Sequence, residues 1–432
     1  MLPGSKVFNH KAAAPIAAHC AMPWRPRTDQ APHWIRTQLA ALASACTVEK
    51  NAHTTGTTDM SKILPTDSKP RLRGVEAARG IAALLVVCYH TALHVEGNIG
   101  GLVLWGLPHF GHAGVDFFFV LSGFIITFVH YKDIGNPKRV LHYAQRRFTR
   151  VFPFYWTVLA FYLADAALFH PAENPAFPRL ISEFFLLPVM YPTIVGGSWT
   201  LVFEVMFYSI FAILILNKRL GLAALVVLLI STILGSMSIS PHYLLGNISN
   251  ASYSLEFFLG MGCAYLLTHK RISRTGWLMI AGICLFAATG MAEVAGKLNG
   301  FGVSARLLYG SSSALVILGL VERERSGSLC VPKPLAVLGR ASYSVYLVHL
   351  IAIGLAFHFL SRMLHLTPQD ALPLWGALCV AGVSVGILAS HWLEHPIIRV
   401  TRRWMDRPRV ASDTLQTEDV AAEYAAPQDS RE

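Results

Sequence analysis

The chain has 432 residues, 53% of them hydrophobic and only 14% charged, with a formal net charge of +11 and a mean hydropathy of +0.46. A soluble globular domain carries about 25% charged residues. This balance excludes an ordinary soluble fold and, with long apolar runs recurring to the end, describes an all-α polytopic membrane protein.

Residues 1–59 mix His, Pro, Ala, Thr and scattered Arg, with no apolar stretch long enough for a signal-peptide core. They are expected to be a disordered or mis-assigned extension. Met60 opens MSKILPTDSKPRLRG, which reads as a cytoplasmic leader over 60–76. A chain started at Met60 is therefore expected to insert and act like the full chain. Loss of activity in a well-expressed truncated protein would contradict this.

About ten apolar stretches follow, near 77–96, 112–131, 151–169, 199–216, 219–238, 250–268, 276–292, 303–321, 341–360 and 373–392. Each has roughly the 17–25 residues that cross a bilayer core. The patch FFLLPVM at 184–190 is too short to span and reads as re-entrant or interfacial. With a cytoplasmic N-terminus and alternating spans, the inner loops and the C-terminal segment hold 21 Lys and Arg, and the outer loops only Arg179, Lys297 and Arg362. Cytoplasmic loops are enriched in Lys and Arg, so both termini are assigned to the cytoplasm. That bias accounts for the positive charge without nucleic acid. The transmembrane domain is 77–396. The tail, 397–432, is basic as far as Arg409 and then acidic and polar, which reads as disordered.

The first span, EAARGIAALLVVCYHTALH over 76–94, holds ionisable residues where they are costly. Arg79 and His90 are eleven residues apart, three turns plus about 20°, so they share a helix face about 16 Å apart along the axis. His94 continues that face. Intramembrane ionisable groups mark functional sites, and histidine has the pKa for general base work at neutral pH. The plain alternative is a snorkelling Arg79 and a His90 that hydrogen-bonds a neighbouring helix.

In chain order, GHAGVDFFFVLSGFII (111–126) adds Asp116 at a membrane entrance and Ser122 within the span. RRFTRVFPFYW (146–156) gathers Arg146, Arg147 and Arg150 at the cytoplasmic edge of the third span, with Pro153 in its first turn. SWTLVFEVMFY (198–208) carries Trp199 and Glu204 inside an apolar helix. LGRASYSVYLVH (338–349) brings Tyr343 and His349, and HWLEHP (391–396) closes the last span. Cys88, Cys263, Cys284 and Cys379 fall inside apolar runs and read as small buried hydrophobes. Neither CxxC nor HExxH occurs, so no metal site is expected.

Taken in order, these blocks resemble the membrane-bound acyltransferase 3 family, which includes bacterial O-antigen and exopolysaccharide O-acetyltransferases. Arg79 and His90 match its Arg-x10-His pattern within RGIAALLVVCYH, and the likeness covers about residues 71–400. The wording most resembles the exopolysaccharide (succinoglycan) acetylation branch. One departure is GVEAARG, where many members carry an aspartate followed by glycine-leucine-arginine; Glu76 keeps the acid.

The resemblance implies an inner-membrane enzyme moving an acyl group, usually acetyl, from cytoplasmic acyl-CoA to a saccharide hydroxyl. Acetyl-CoA would then be the donor substrate, with no permanently bound cofactor and a lipid-linked saccharide as acceptor. His90 would be the general base, Arg79 would steer the donor or stabilise charge on the thioester carbonyl, and Glu204 would assist. Arg146, Arg147 and Arg150 would meet the CoA phosphates; Asp116, Ser122, Trp199, Tyr343 and His349 would bind substrate. A covalent acyl-His90 and direct transfer are both compatible with the residues. From the residues alone, two other classes stay open: a secondary transporter or flippase with a His90/Glu204 proton relay, and a non-catalytic partner of an export machine.

Overall fold

The computed structural model describes residues 72–169, 175–188, 193–236, 253–270 and 275–405. The extension, most of the leader and the end of the tail lie outside them. The helices, in chain order, are α1 (Arg73–Ile99), α2 (Gly114–His130), α3 (Val140–Phe169), α4 (Phe177–Phe185), α5 (Ser198–Leu216) and α6 (Lys218–Ser236). Then come α7 (Tyr253–His269), α8 (Thr275–Val294), α9 (Val303–Arg325), α10 (Lys333–Met363), α11 (Ala371–Ala389) and α12 (His395–Met405). No strand occurs among the described residues.

Each of the ten expected spans falls on one of these helices. Among the described residues nine segments are long and apolar enough to cross a membrane. The tenth, α7, is described for 17 residues from Tyr253; its expected residues 250–252 lie outside the described ones.

Small residues let backbones touch where lipid supplies no hydrophobic drive. A Cβ on Gly123 of α2 would lie 2.1 Å from the Phe257 carbonyl oxygen of α7, and one on Gly260 would lie 1.9 Å from the Val120 carbonyl. The same device seats α10 on α1: a Cβ on Gly339 would lie 2.2 Å from the Glu76 carbonyl. The helices that carry Arg79, His90, Tyr343 and His349 are therefore held against each other by backbone contact.

Two segments depart from the expectations. Helix α3 begins at Val140 and runs for 30 residues, so Pro153 lies in its interior and not in a first turn. The basic stretch before the membrane continues the same helix, which fixes Arg147 and Arg150 rigidly above the span. The short apolar patch contributes its first residues to α4, a nine-residue helix stopped by a left-handed Leu186. Phe177, Ile181, Phe184 and Phe185 are exposed on it, whereas Glu183 is buried. The Glu183 carboxylate accepts hydrogen bonds from the Tyr155 hydroxyl (2.9 Å), the Ser198 hydroxyl (2.6 Å) and the Val195 amide (3.2 Å). One polar edge pinned and one apolar face open is the arrangement of an interfacial helix.

Candidate active site

A cavity of about 210 Å³ opens between α1, α2, α3, α5 and α10. Its charged lining is Arg79, Arg147, Arg150 and Glu204, with Tyr208 and Tyr343 among its polar walls. Three arginines gathered in one cavity are costly unless compensated, and the compensation is uneven.

Arg150 Nη1 donates to Glu394 Oε1 at 2.8 Å, and its guanidinium lies over the Tyr343 ring at 4.9 Å. The buried Glu394 is itself held by the hydroxyls of Ser344 (2.6 Å) and Ser390 (3.0 Å). Arg147 lies over the Tyr208 and Tyr143 rings at 5.2 and 5.6 Å, with its Nε buried and without a partner among the described residues. Glu204 accepts from the Tyr208 hydroxyl. Arg79 makes no hydrogen bond or ion pair among the described residues. Two unsatisfied cationic groups thus face a space with room for an anion.

Glu394 belongs to the site, and sequence reasoning passed over it in HWLEHP. It ends a π turn, Ser390–Glu394, between α11 and α12. The extra residue of such a turn rotates a side chain off the regular helical face, and these turns recur at functional sites. A carboxylate closing an otherwise apolar last span was the available signal.

Beyond the cavity lies a histidine pair. Tyr346 lines the cavity, and its hydroxyl is 2.9 Å from that of Thr200. The Tyr346 ring is 6.0 Å from the ring of His349. His349 Nε2 in turn is 3.0 Å from His90 Nδ1.

The surrounding acceptors set both tautomers. His349 Nδ1 faces the carbonyls of Tyr346 (2.7 Å) and Val345 (3.2 Å), which only accept, so it carries the proton. His349 Nε2 is then an acceptor. His90 Nδ1 faces that acceptor and the Val86 carbonyl at 3.1 Å, so it too carries a proton. The remaining lone pair of the dyad lies on His90 Nε2, which has no partner among the described residues. That is the form a general base needs.

The structure therefore brings together Arg79, Ser122, Arg147, Arg150, Glu204 and Tyr343 around the cavity, and His90 with His349 one layer beyond. It places three other candidates elsewhere. Arg146 is exposed and is not part of the cavity wall. Trp199 packs among Phe119, Phe203 and Tyr253. Asp116 is fully buried in an ion pair with Arg306 of α9, beside the buried Glu256. The entrance expected at Asp116 is thus a packed contact between helices.

Comparison with known proteins decides the family. The model described as "Acyltransferase domain", that of the acyltransferase 3 family, matches residues 72–391. The chain belongs to this family. It is an acyltransferase and a multi-pass membrane protein, which removes the transporter and the non-catalytic partner as readings. It is 27% identical to the exopolysaccharide production protein ExoZ of Rhizobium meliloti, over 67% of this chain and 90% of that one. It is 26% identical to the acyltransferase MdmB of Streptomyces mycarofaciens, over 77% and 93% respectively. To the peptidoglycan O-acetyltransferase OatA of Listeria monocytogenes it is 23% identical, over 76% of this chain and 56% of that protein. No solved structure matches.

Proposed function

We propose that the chain is an O-acetyltransferase of the bacterial inner membrane that moves an acetyl group from cytoplasmic acetyl-CoA to a hydroxyl of a lipid-linked or polymeric saccharide. One observation carries this reading: a histidine dyad with a free lone pair stands one side-chain layer beyond a three-arginine cavity. The names of the exopolysaccharide and peptidoglycan relatives support the saccharide acceptor.

The phosphates of the donor meet Arg79 and Arg147, neither of which makes an ion pair among the described residues, while Arg150 is held by Glu394 and shapes the wall. The pantetheine arm carries the thioester past Tyr346 and Thr200 towards His90. His90 Nε2 takes the hydroxyl proton as the acceptor oxygen bonds to the thioester carbonyl carbon. The carbon–sulfur bond breaks, and the proton passes from His90 to the departing thiolate. An ester and a free CoA thiol leave, and the dyad is restored. His349 touches neither substrate in this scheme; it orients His90 and fixes its tautomer.

Membrane vesicles containing the chain, given radiolabelled acetyl-CoA and an alkali-deacetylated lipid and polysaccharide extract of the source organism, test the reading. Label should enter the saccharide fraction and be released by mild alkali, as an O-ester is. Label confined to water-soluble acetate would contradict it. The donor assignment has its own check. Arg147→Gln should raise the acetyl-CoA dissociation constant about 10-fold at low salt, since a charge-assisted phosphate contact is lost. An unchanged constant would leave Arg147 a purely topological charge.

A further inference from the structure

Aromatic rings run without a break from the histidine dyad to the surface, towards the end of the bundle opposite the arginine-rich loops. His349 and His90 have ring centroids 5.0 Å apart, His90 and Tyr89 4.9 Å, Tyr89 and His112 5.5 Å, and His112 and Phe301 4.5 Å, the last pair stacked at 22°. Phe301 is 62% exposed, so the series ends on an accessible ring. None of Tyr89, His112 and Phe301 lines the arginine cavity.

Polar groups accompany the rings. His112 Nε2 donates to Glu293 Oε1 at 2.7 Å, and Glu293 Oε2 accepts from the Tyr309 hydroxyl at 2.7 Å. His112 is only 6% exposed, and its Nδ1 is buried with no partner among the described residues. With Nε2–H committed to the carboxylate, Nδ1 is a lone-pair acceptor directly beneath the Phe301 ring. Buried polar atoms are normally satisfied, and one without a protein partner is open to a water, an ion or a ligand. An acceptor of hydroxyl protons under an exposed aromatic ring, with a carboxylate beside it, matches the two faces of a sugar: apolar C–H on one side, hydroxyls at the edge.

We propose that Phe301, His112 and Glu293 form the acceptor-saccharide subsite, which feeds a hydroxyl along Tyr89 to His90 from the side opposite the donor. The sugar ring lies on Phe301, displacing it enough to give one hydroxyl to His112 Nδ1. This rests on the reading of His90 as the base for transfer from acetyl-CoA to a saccharide.

The test uses full-length protein in proteoliposomes, acetyl-CoA as donor and the alkali-deacetylated saccharide extract as acceptor, each titrated separately. Phe301→Ala alters an exposed side chain, and Glu293→Gln keeps the shape of the carboxylate. Both should raise the half-saturating extract concentration about 10-fold, Phe301→Ala by loss of the stacking platform and Glu293→Gln by loss of the charge that orients His112. Half-saturation by acetyl-CoA should stay within about two-fold of wild type on the same scale. Extract half-saturation unchanged in both variants would overturn the subsite while leaving the transferase reading intact. A rise in the acetyl-CoA value instead would make Phe301 a platform for the donor's adenine and would also overturn it. Absence of transfer by the wild-type protein would remove the transferase reading itself, and the subsite with it.

Discussion

Replacing His90 by alanine is expected to reduce acyl transfer by on the order of 10²–10⁴, the usual contribution of a positioned general base, while membrane insertion and melting temperature stay near wild type. The second half of that expectation follows from the geometry. His90 is half-buried, and among the described residues its ring hydrogen-bonds protein groups only through Nδ1. Alanine frees His349 Nε2, but that atom is an acceptor that one water can satisfy. Acetyl-CoA should still bind, because the arginine cavity lies on the other side of Tyr346.

His349→Gln provides the companion measurement. A glutamine carbonyl can accept from His90 Nδ1–H, so this variant should retain more activity than His349→Ala. Nitrogen chemical shifts of His90 should report the Nδ1–H tautomer in His349→Gln and a mixture in His349→Ala. Wild-type turnover by purified His90→Ala protein would make the dyad a packing contact and end the mechanism.

The spans were legible because bilayer thickness imposes one length on every helix, and no long-range information is needed to count apolar residues. Arg79 and His90 were legible for the same local reason: eleven residues return a helix to the same face. What lies between them was not. Tyr346 and Thr200 come from α10 and α5, and nothing in the first span shows that their side chains separate the arginine cavity from the dyad.

Partners distant in sequence explain the misplaced residues as well. Asp116 looks like an exposed acid near a membrane boundary until Arg306, 190 positions away, takes it into a buried ion pair. Glu394 was hidden by backbone geometry, because a π turn defeats arguments that assume 3.6 residues per turn. Arg146 failed for a smaller reason. Three arginines in five positions cannot all face one cavity, and the helix turns Arg147 and Arg150 inward.

Arg79 and Arg150 share a cavity and a charge, yet their removal should move stability in opposite directions. Arg150 is the partner of a carboxylate that is 1% exposed. Arg150→Gln strands Glu394, and breaking a buried ion pair from one side costs about 3–5 kcal/mol. The variant should melt well below wild type, and Arg150→Gln/Glu394→Gln together should recover much of the loss.

Arg79 makes no hydrogen bond or ion pair among the described residues; Arg150 repels it, and Glu204 and Glu394 attract it from a distance. Arg79→Gln removes a desolvated cation that no direct ion pair compensates and should melt at or above wild type, while acyl transfer falls at least 10-fold because a charge-assisted contact to the donor disappears. Arg79→Lys separates charge from shape. Lysine keeps the cation but not the planar fork that meets an oxyanion with two parallel hydrogen bonds, so it should bind acetyl-CoA better than glutamine does and still transfer poorly. Thermal unfolding in detergent, read beside acetyl-CoA titration of the same preparations, checks all four variants. A group kept for its ligand raises stability when removed, and one kept for the fold lowers it. If Arg79→Gln melted as far below wild type as Arg150→Gln, Arg79 would be a structural charge whose partner the folded chain supplies, and the donor would have to be held by Arg147 alone.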